Sequence, residues 1–135
     1  MPRPTTALIV DDEISARKYL RVLLAELEIT TTWEAEDAAQ ALAMFEQHRP
    51  GFVLLDVNLR TTTGLQVLQR LKRIQPDLPV IMLSSDDAMT TIDEALRLGA
   101  TAYLLKHITT DEAFTRLSEI LDGLDPEKKK SGAAQ

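Results

Sequence analysis

Five short apolar segments alternate along the chain with five stretches in which apolar residues recur every three or four positions. The segments predict strands, and the recurrent spacing, as in Leu20, Leu23, Leu24 and Leu27, predicts helices. Four segments are continuously apolar, as in a parallel sheet that helices cover on both faces, whereas the second mixes polar and apolar residues like an edge strand. The alternation predicts a single doubly wound (βα)5 domain of the α/β class. The predicted strands are residues 5–10, 29–35, 52–55, 80–83 and 102–105.

The predicted domain covers residues 5–123. Thr63 and Thr109 are each followed three residues later by Gln or Glu, which is the spacing of a capping box and predicts the starts of the third and fifth helices. The last helical pattern ends near Gly123. The remaining residues, 124–135, include the segment EKKK and predict a flexible basic tail.

Composition excludes several classes of function. The chain has no cysteine, so disulfides, thiolate catalysis and cysteine zinc sites are excluded. Its net charge of −6 argues against direct binding to nucleic acid or to an anionic membrane surface. No apolar run approaches the roughly 20 residues of a membrane-spanning helix, and the start, MPRPTTALIVDD, lacks a secretory signal. We therefore expect a cytoplasmic protein.

Polar side chains follow four of the predicted strands where each strand ends. Asp11 and Asp12 follow the first strand, Asp56 the third, Ser84 the fourth and Lys106 the fifth. Ligands of open α/β sheets bind beyond the carboxyl ends of the strands. In the flavodoxin-like strand order 2-1-3-4-5, the first and third strands are neighbours, so the three aspartates are expected in one pocket.

Three adjacent carboxylates cannot all stay ionised without help, because each negative charge disfavours the next. They must either take up protons or bind a cation, and an all-oxygen set of ligands suits Mg²⁺ better than Zn²⁺. Lys106 adds a positive charge on the other side of Asp56. These groups suit phosphoryl transfer, in which a carboxylate attacks the phosphoryl donor and forms an acyl phosphate. The cation and the lysine would neutralise the phosphoryl oxygens, and the Ser84 hydroxyl would hydrogen-bond one of them.

Four motifs in order, each at its own strand, resemble the receiver domain of two-component response regulators. They are IVDDE, FVLLDVN with Gly64 eight residues after its aspartate, MLSS and GATAYLLKH. The resemblance extends over roughly residues 5–123. It implies that Asp56 is the phosphoacceptor, that Asp12 binds the metal directly and that Asp11 binds it through water. It also implies that the backbone carbonyl of Asn58 completes the protein's share of the metal shell and that Lys106 pairs with the phosphate.

The resemblance further implies a conformational switch. Ser84 resembles the hydroxyl that moves toward the phosphoryl group, and Tyr103 the aromatic residue whose rotamer follows it. Phosphorylation would then alter the surface of the fourth helix, fifth strand and fifth helix, which would bind an output partner or a second copy of the chain. Asn58 and Asp86, each two residues beyond a functional residue, are expected to tune the lifetime of the phosphoryl group by orienting or excluding water.

Three positions depart from the family pattern. His107 follows Lys106 where the family usually has proline, often after a cis bond, and a cis bond before another residue costs about 2.5–4 kcal/mol. The sequence leaves this bond open between cis and trans. Arg60 replaces a common proline, which predicts a looser loop or a new contact. Ser85 replaces alanine and is expected to narrow the mouth of the pocket.

We expect a receiver that takes a phosphoryl group from a sensor histidine kinase or phosphotransfer protein onto Asp56, with Mg²⁺ as cofactor. It would be a signalling domain rather than an enzyme, with self-catalysed phosphotransfer and autodephosphorylation. The alternative is a phosphorylation-independent interaction module of the same fold. An aspartyl-phosphate phosphatase would need an aspartate where Asn58 stands, and a flavin or nucleotide carrier would need a glycine- or hydroxyl-rich loop after the first strand. More modestly, Asp11 and Asp12 could cap the first helix, and Tyr103 could be an ordinary strand aromatic.

Overall fold

The strands of the computed structural model form one parallel five-stranded sheet in the order β2-β1-β3-β4-β5. The structure describes residues 4–60, 62–85 and 89–124, with the backbone alone for residues 89 and 90. Strands and helices alternate as predicted, and the order is the flavodoxin-like one. The elements are β1 (Thr6–Val10), α1 (Ile14–Glu26), β2 (Thr31–Ala35), α2 (Ala38–His48), β3 (Phe52–Asp56), α3 (Gly64–Ile74), β4 (Val80–Ser84), α4 (Met89–Arg97), β5 (Ala102–Leu105) and α5 (Thr110–Gly123).

Strand β2 begins two residues later than the sequence predicts, because the end of helix α1 occupies the residues before it. Glu28 adopts the left-handed conformation, with a φ of 69°. Its N–H donates to the carbonyl of Ala25, and the N–H of Ile29 donates to the carbonyl of Leu24. This pair of bonds is a Schellman motif, in which a residue of left-handed conformation ends a helix. Ile29 is fully buried, so its apolar character reflects packing beside the helix end rather than strand pairing.

Two apolar layers lie on opposite faces of the sheet. Side chains on one face pack with α2, α3 and part of α4, and those on the other face pack with α1 and α5. Successive residues of a strand alternate between these layers, as the period of two requires. Leu8 and Val10 of β1 belong to the first layer, and Ala7 and Ile9 to the second. Both faces are therefore covered, which explains the continuous apolar runs.

The strand ends lie level at the carboxyl edge of the sheet. Val10 of β1 pairs with Leu55 of β3, so the residues that follow them, Asp11 and Asp56, emerge side by side. On the other side of β3, Asp56 pairs with Leu83 of β4. This register places the predicted site residues of β1, β3 and β4 at one edge.

The two predicted helix caps are present. The hydroxyl of Thr63 accepts a hydrogen bond from the N–H of Gln66, and Thr109 and Glu112 form a complete capping box at the start of α5. These caps satisfy N–H groups that have no partner within the first turn of a helix. In the part of the chain that the structure describes, no helix combines the length and apolar character needed to cross a membrane.

Candidate functional site

The carboxylates of Asp11, Asp12 and Asp56 form one cluster at the carboxyl edge of the sheet. One oxygen from each lies within 4.8 Å of the other two. Asp11 is fully buried and Asp56 is 5% exposed, whereas Asp12 is half-buried. Carboxylate oxygens are hard ligands, and a half-buried member leaves room for water, so the cluster fits Mg²⁺. The predicted convergence of the three aspartates is what the structure shows.

Lys106 bridges the two buried aspartates. Its Nζ lies 2.8 Å from Oδ2 of Asp11 and 3.0 Å from Oδ2 of Asp56. The contact with Asp56 is a hydrogen bond, whereas the contact with Asp11 is an ion pair without hydrogen-bond geometry. Oδ2 of Asp11 consequently has no hydrogen-bond partner among the described residues. A buried anionic oxygen in this state is suited to a further cation or to water.

The two buried aspartates favour the charged form of Lys106. Burial raises the pKa of the Asp56 carboxyl above its ordinary value, and the negative charge of Asp11 adds to that rise. Hydrogen bonds from the Asn58 N–H and from Lys106 act in the opposite direction without cancelling it. Burial alone would lower the pKa of Lys106, but its close contacts with the carboxylates of Asp11 and Asp56, and their negative charges, raise that pKa above the ordinary value. Lys106 is therefore the cation that partly neutralises the cluster.

The carboxylates of Asp11 and Asp56 are each oriented by a hydrogen bond from a nearby backbone N–H. Oδ1 of Asp11 accepts a hydrogen bond from the N–H of Glu13 at 2.9 Å. Oδ1 of Asp56 likewise accepts one from the N–H of Asn58 at 3.0 Å. This is the Asx-turn geometry that favours aspartate at such positions. Because Oδ1 is held by the backbone, Oδ2 of both side chains turns toward Lys106.

Gly64 holds the loop after β3 against the acid cluster. Its N–H donates to the carbonyl of Val57 at 2.6 Å, and a Cβ built at this position would overlap the main-chain oxygen of Asp56. Only a residue without a side chain allows so close an approach of two backbone segments. The glycine eight residues after Asp56 is thus required by the packing of the loop that follows β3.

The structure describes three of the remaining predicted site residues, Ser84, Asn58 and Tyr103. Ser84 is buried at the end of β4, and its carbonyl accepts a hydrogen bond from the N–H of Lys106. Asn58 is exposed. Tyr103 lies on β5 with the guanidinium of Arg116 stacked 5.4 Å above its ring centre, and it packs partly against the first apolar layer. Asp86 lies outside the described residues.

A cavity of about 560 Å³ opens from the acid cluster. Its polar side contains Asp12, Asp56 and Lys106, together with two of the residues that depart from the family pattern. Of these, His107 is exposed and follows Lys106 through a trans peptide bond, which settles the question that the sequence left open. Ser85 is also exposed and lines the cavity, which agrees with its predicted place at the mouth.

Sequence reasoning missed one residue beside the cluster. Arg17, on the first turns of α1, donates from Nη1 to the main-chain carbonyl of Asp11 at 2.6 Å. The same guanidinium pairs through Nε with Glu34 of β2 at 3.0 Å. The signal in the sequence was Glu34 itself, because a partly buried glutamate in a strand needs a charged or hydrogen-bonding partner.

The fold and the site together define a class: a doubly wound α/β domain with a candidate phosphoacceptor pocket of three aspartates and a lysine. The comparisons with known proteins identify the family within that class. The family model described as "Response regulator receiver domain" matches residues 7–118, and the chain belongs to this family. The resemblance stated from the motifs is confirmed. Receiver domains are signalling domains of two-component systems, not enzymes in the ordinary sense.

Individual relatives and a solved structure are consistent with this family. The phosphate regulon transcriptional regulatory protein PhoB of Pseudomonas aeruginosa is 35% identical over 123 residues, covering 90% of this chain and 53% of that protein. The chemotaxis protein CheY of Bacillus subtilis is 26% identical, covering 85% of this chain and 96% of that protein. Among solved structures, the receiver domain of NtrX from Brucella abortus superposes with a TM-score of 0.77 at 32% identity, covering 86% of this chain and 98% of that one. The chain spans about half the length of PhoB and of several other curated relatives that it matches.

Proposed function

We propose that the chain accepts a phosphoryl group on Asp56 from a sensor histidine kinase or phosphotransfer protein, with Mg²⁺ as the cofactor. The observation that carries the proposal is the contact of one lysine ammonium, within 3.0 Å, with two buried carboxylates. That cluster holds more negative charge than the lysine can neutralise, and the excess favours a divalent cation. Membership of the receiver family supports the same chemistry.

The metal would be held by Asp11, Asp12 and Asp56, together with the backbone carbonyl of Asn58. The family resemblance assigns Asp12 as the direct ligand and Asp11 as the ligand through water. Mg²⁺, when bound, would neutralise charge on the oxygens of the transferring phosphoryl group. Oδ2 of Asp11, which is ion-paired with Lys106 but has no hydrogen-bond partner among the described residues, and the half-buried carboxylate of Asp12 are the ligand atoms that support this assignment.

The protein's own groups would orient the reaction. A carboxylate oxygen of Asp56 attacks phosphorus while the bond from phosphorus to the donor's imidazole nitrogen breaks, and the electron pair of that bond stays with the nitrogen. The Asn58 N–H fixes the carboxylate through Oδ1, which limits the ways in which it meets the donor. Lys106 lies at Oδ2 and would follow the new negative charge onto the phosphoryl oxygens. Ser84 would donate its hydroxyl to one of those oxygens.

Output would pass through the surface formed by α4, β5 and α5. In our proposal, movement of Ser84 toward the phosphoryl group biases Tyr103, whose ring lies beneath Arg116 of α5. The guanidinium of Arg116 also donates to the main-chain carbonyl of Tyr103 at 3.4 Å, so a change of the ring is expected to reach α5. The partner is an output protein or a second copy of this chain. The lifetime-tuning roles of Asn58 and Asp86 remain predictions, as do the domain boundary at residue 123, the tail of residues 124–135 and the cytoplasmic location.

Labelling with acetyl phosphate tests the acceptor. Wild-type protein with Mg²⁺ is expected to gain one phosphoryl group, detected by intact mass, and Asp56→Asn is expected to gain none. Asp93→Asn, which removes an exposed carboxylate of α4, is the matched control and should label like wild type. Labelling of Asp56→Asn would move the acceptor elsewhere. Absence of labelling in wild type, with acetyl phosphate and with a panel of histidine kinases, would favour the phosphorylation-independent interaction module.

A further inference from the structure

We infer that Arg17 is a positioning residue of the metal pocket, because its guanidinium binds the Asp11 carbonyl and the Glu34 carboxylate at the same time. The two contacts join the loop that carries Asp11 and Asp12 to helix α1 and to strand β2. This inference rests on the proposed function, since its consequence is the affinity of the same pocket for a divalent cation.

The contacts of Arg17 are short and well shielded. Nη1 donates to the Asp11 carbonyl at 2.6 Å, and Nε donates to Oε1 of Glu34 at 3.0 Å. The side chain of Arg17 is only 12% exposed, and that of Glu34 is 28% exposed. A guanidinium carries several N–H donors in a fixed plane, so a single arginine serves both acceptors without changing its rotamer. Lysine has one ammonium on a flexible stem and is less able to do so.

Among the described residues, Arg17 supplies the side-chain hydrogen bond to the main-chain carbonyl of Asp11. The N–H of Asp11 donates to the carbonyl of Ala35 in β2, and Oδ1 accepts from the N–H of Glu13. The Asp11 carbonyl accepts from Arg17. These bonds fix the peptide groups on both sides of Asp11, and therefore the direction in which Oδ2 points. Partners of metal ligands act in this way, by restricting the orientation of the ligand before the metal arrives.

Arg21 is a suitable comparison, because it pairs with Glu34 as Arg17 does but does not bind the loop that carries Asp11. Its Nη1 lies 3.0 Å from Oε2 of Glu34, and its side chain is 50% exposed. Both arginines lie on the same side of α1, one helical turn apart, and both neutralise Glu34. Among the described residues, no hydrogen bond or ion pair joins Arg21 to Asp11. A variant of Arg21 therefore removes a similar charge from the same network while leaving the Asp11 carbonyl bound.

The experiment compares Arg17→Met with Arg21→Met by calorimetric titration with MgCl₂. Methionine retains an apolar stem and removes the guanidinium, so packing along the helix is largely preserved. Arg17→Met is expected to bind Mg²⁺ about tenfold more weakly than wild type, which is the low end of the loss for groups that orient metal ligands. Arg21→Met is expected to stay within about twofold of wild type, since an exposed ion pair contributes little. Urea unfolding of each variant gives its stability separately.

The outcomes separate the inference from the proposed function. If wild type takes up no Mg²⁺, the proposed function fails, and the inference fails with it. If wild type binds Mg²⁺ and Arg17→Met binds it equally well, the inference alone is overturned. A purely structural role would lower the urea midpoint of Arg17→Met and leave the affinity of the folded protein unchanged, which also overturns it. Should Arg17→Met not fold, Glu34→Ala releases Arg17 from β2 and is expected to weaken binding at least threefold; unchanged affinity in that variant contradicts the anchoring.

Discussion

Replacement of Lys106 by methionine tests whether the lysine serves as the resident counter-ion of the acid cluster. At an effective dielectric constant of about 20, a unit charge near 3 Å from another gains roughly 5–6 kcal/mol, and Lys106 makes two such contacts, at 2.8 and 3.0 Å. Most of this gain is offset by the cost of removing the three charges from water. Breaking a buried ion pair usually costs about 3–5 kcal/mol.

The loss for Lys106→Met should fall near or below the lower end of that range. The lysine side chain is 21% exposed, so water screens part of the interaction. In addition, the pKa of Asp56 is already raised by burial, so this carboxyl takes up a proton readily when its cationic partner is removed. We expect a loss of about 2–3 kcal/mol in the free energy of unfolding, measured by urea denaturation in the presence of a chelator.

Added Mg²⁺ should then reduce the difference between variant and wild type. A ligand that binds only the folded state raises the free energy of unfolding by RT ln(1 + [L]/Kd). Because the ammonium lies at Oδ2 of both Asp11 and Asp56, it would compete with a metal bound as proposed for the same oxygens, and its removal should tighten Mg²⁺ binding. Lys18→Met, an exposed lysine of α1, is the control and should change stability by less than about 0.5 kcal/mol. A loss for Lys106→Met that is equal with and without Mg²⁺ would refute the reasoning.

Two further predictions concern the loop that follows β3 and the titration of Asp56 and Lys106. Gly64→Ala places a Cβ on the main-chain oxygen of Asp56, so we expect a loss of more than about 3 kcal/mol in urea denaturation together with loss of labelling. Gly123→Ala, whose Cβ would meet nothing within 4 Å, is the control and should be neutral or slightly stabilising; equal behaviour of the two variants would contradict the clash. The second prediction concerns pH. Because the pKa of Asp56 is raised in the folded protein, folding favours its protonated form, and the metal-free protein should lose stability relative to Asp56→Asn as pH rises from 3.8 through the folded pKa. The stability that the raised pKa of Lys106 contributes should be complete below 10.5 and be lost above it. Chelated samples unfolded in urea at a series of pH values provide the measurement, and a difference between wild type and Asp56→Asn that does not vary with pH would count against the prediction for Asp56.

The sequence predicted most of the fold because strands and helices follow from short-range patterns, and it predicted the convergence of the acids once the flavodoxin-like strand order was adopted. Continuous apolar runs identify buried strands, and the order 2-1-3-4-5 places β1 beside β3. Once Val10 pairs with Leu55, Asp11 and Asp56 must emerge together. The Gly64 spacing was likewise visible, and the close approach to Asp56 supplies its physical cause.

Other features depend on three-dimensional contacts that no local pattern encodes. The sequence placed Lys106 on the far side of Asp56, whereas its Nζ lies between Asp56 and Asp11 and contacts both. The predicted start of β2 was two residues too early because Glu28 ends helix α1 in a left-handed conformation that is more usual for glycine. Arg17 was missed because its two acceptors belong to a loop and a strand that only the folded sheet brings together.

The geometry of the cluster suggests why two aspartates carry the same turn. Oδ1 of both Asp11 and Asp56 is held by a backbone N–H two residues away, so neither oxygen is readily released to follow a ligand. Oδ2 of each is contacted by the ammonium of Lys106, which directly follows the end of β5. In the proposed function, a divalent cation at these oxygens would take the place of the ammonium, and both turns would be kept because they depend on Oδ1. Lys106 lines the same pocket, where the proposed function would bring it to the oxygens of the transferred phosphoryl group.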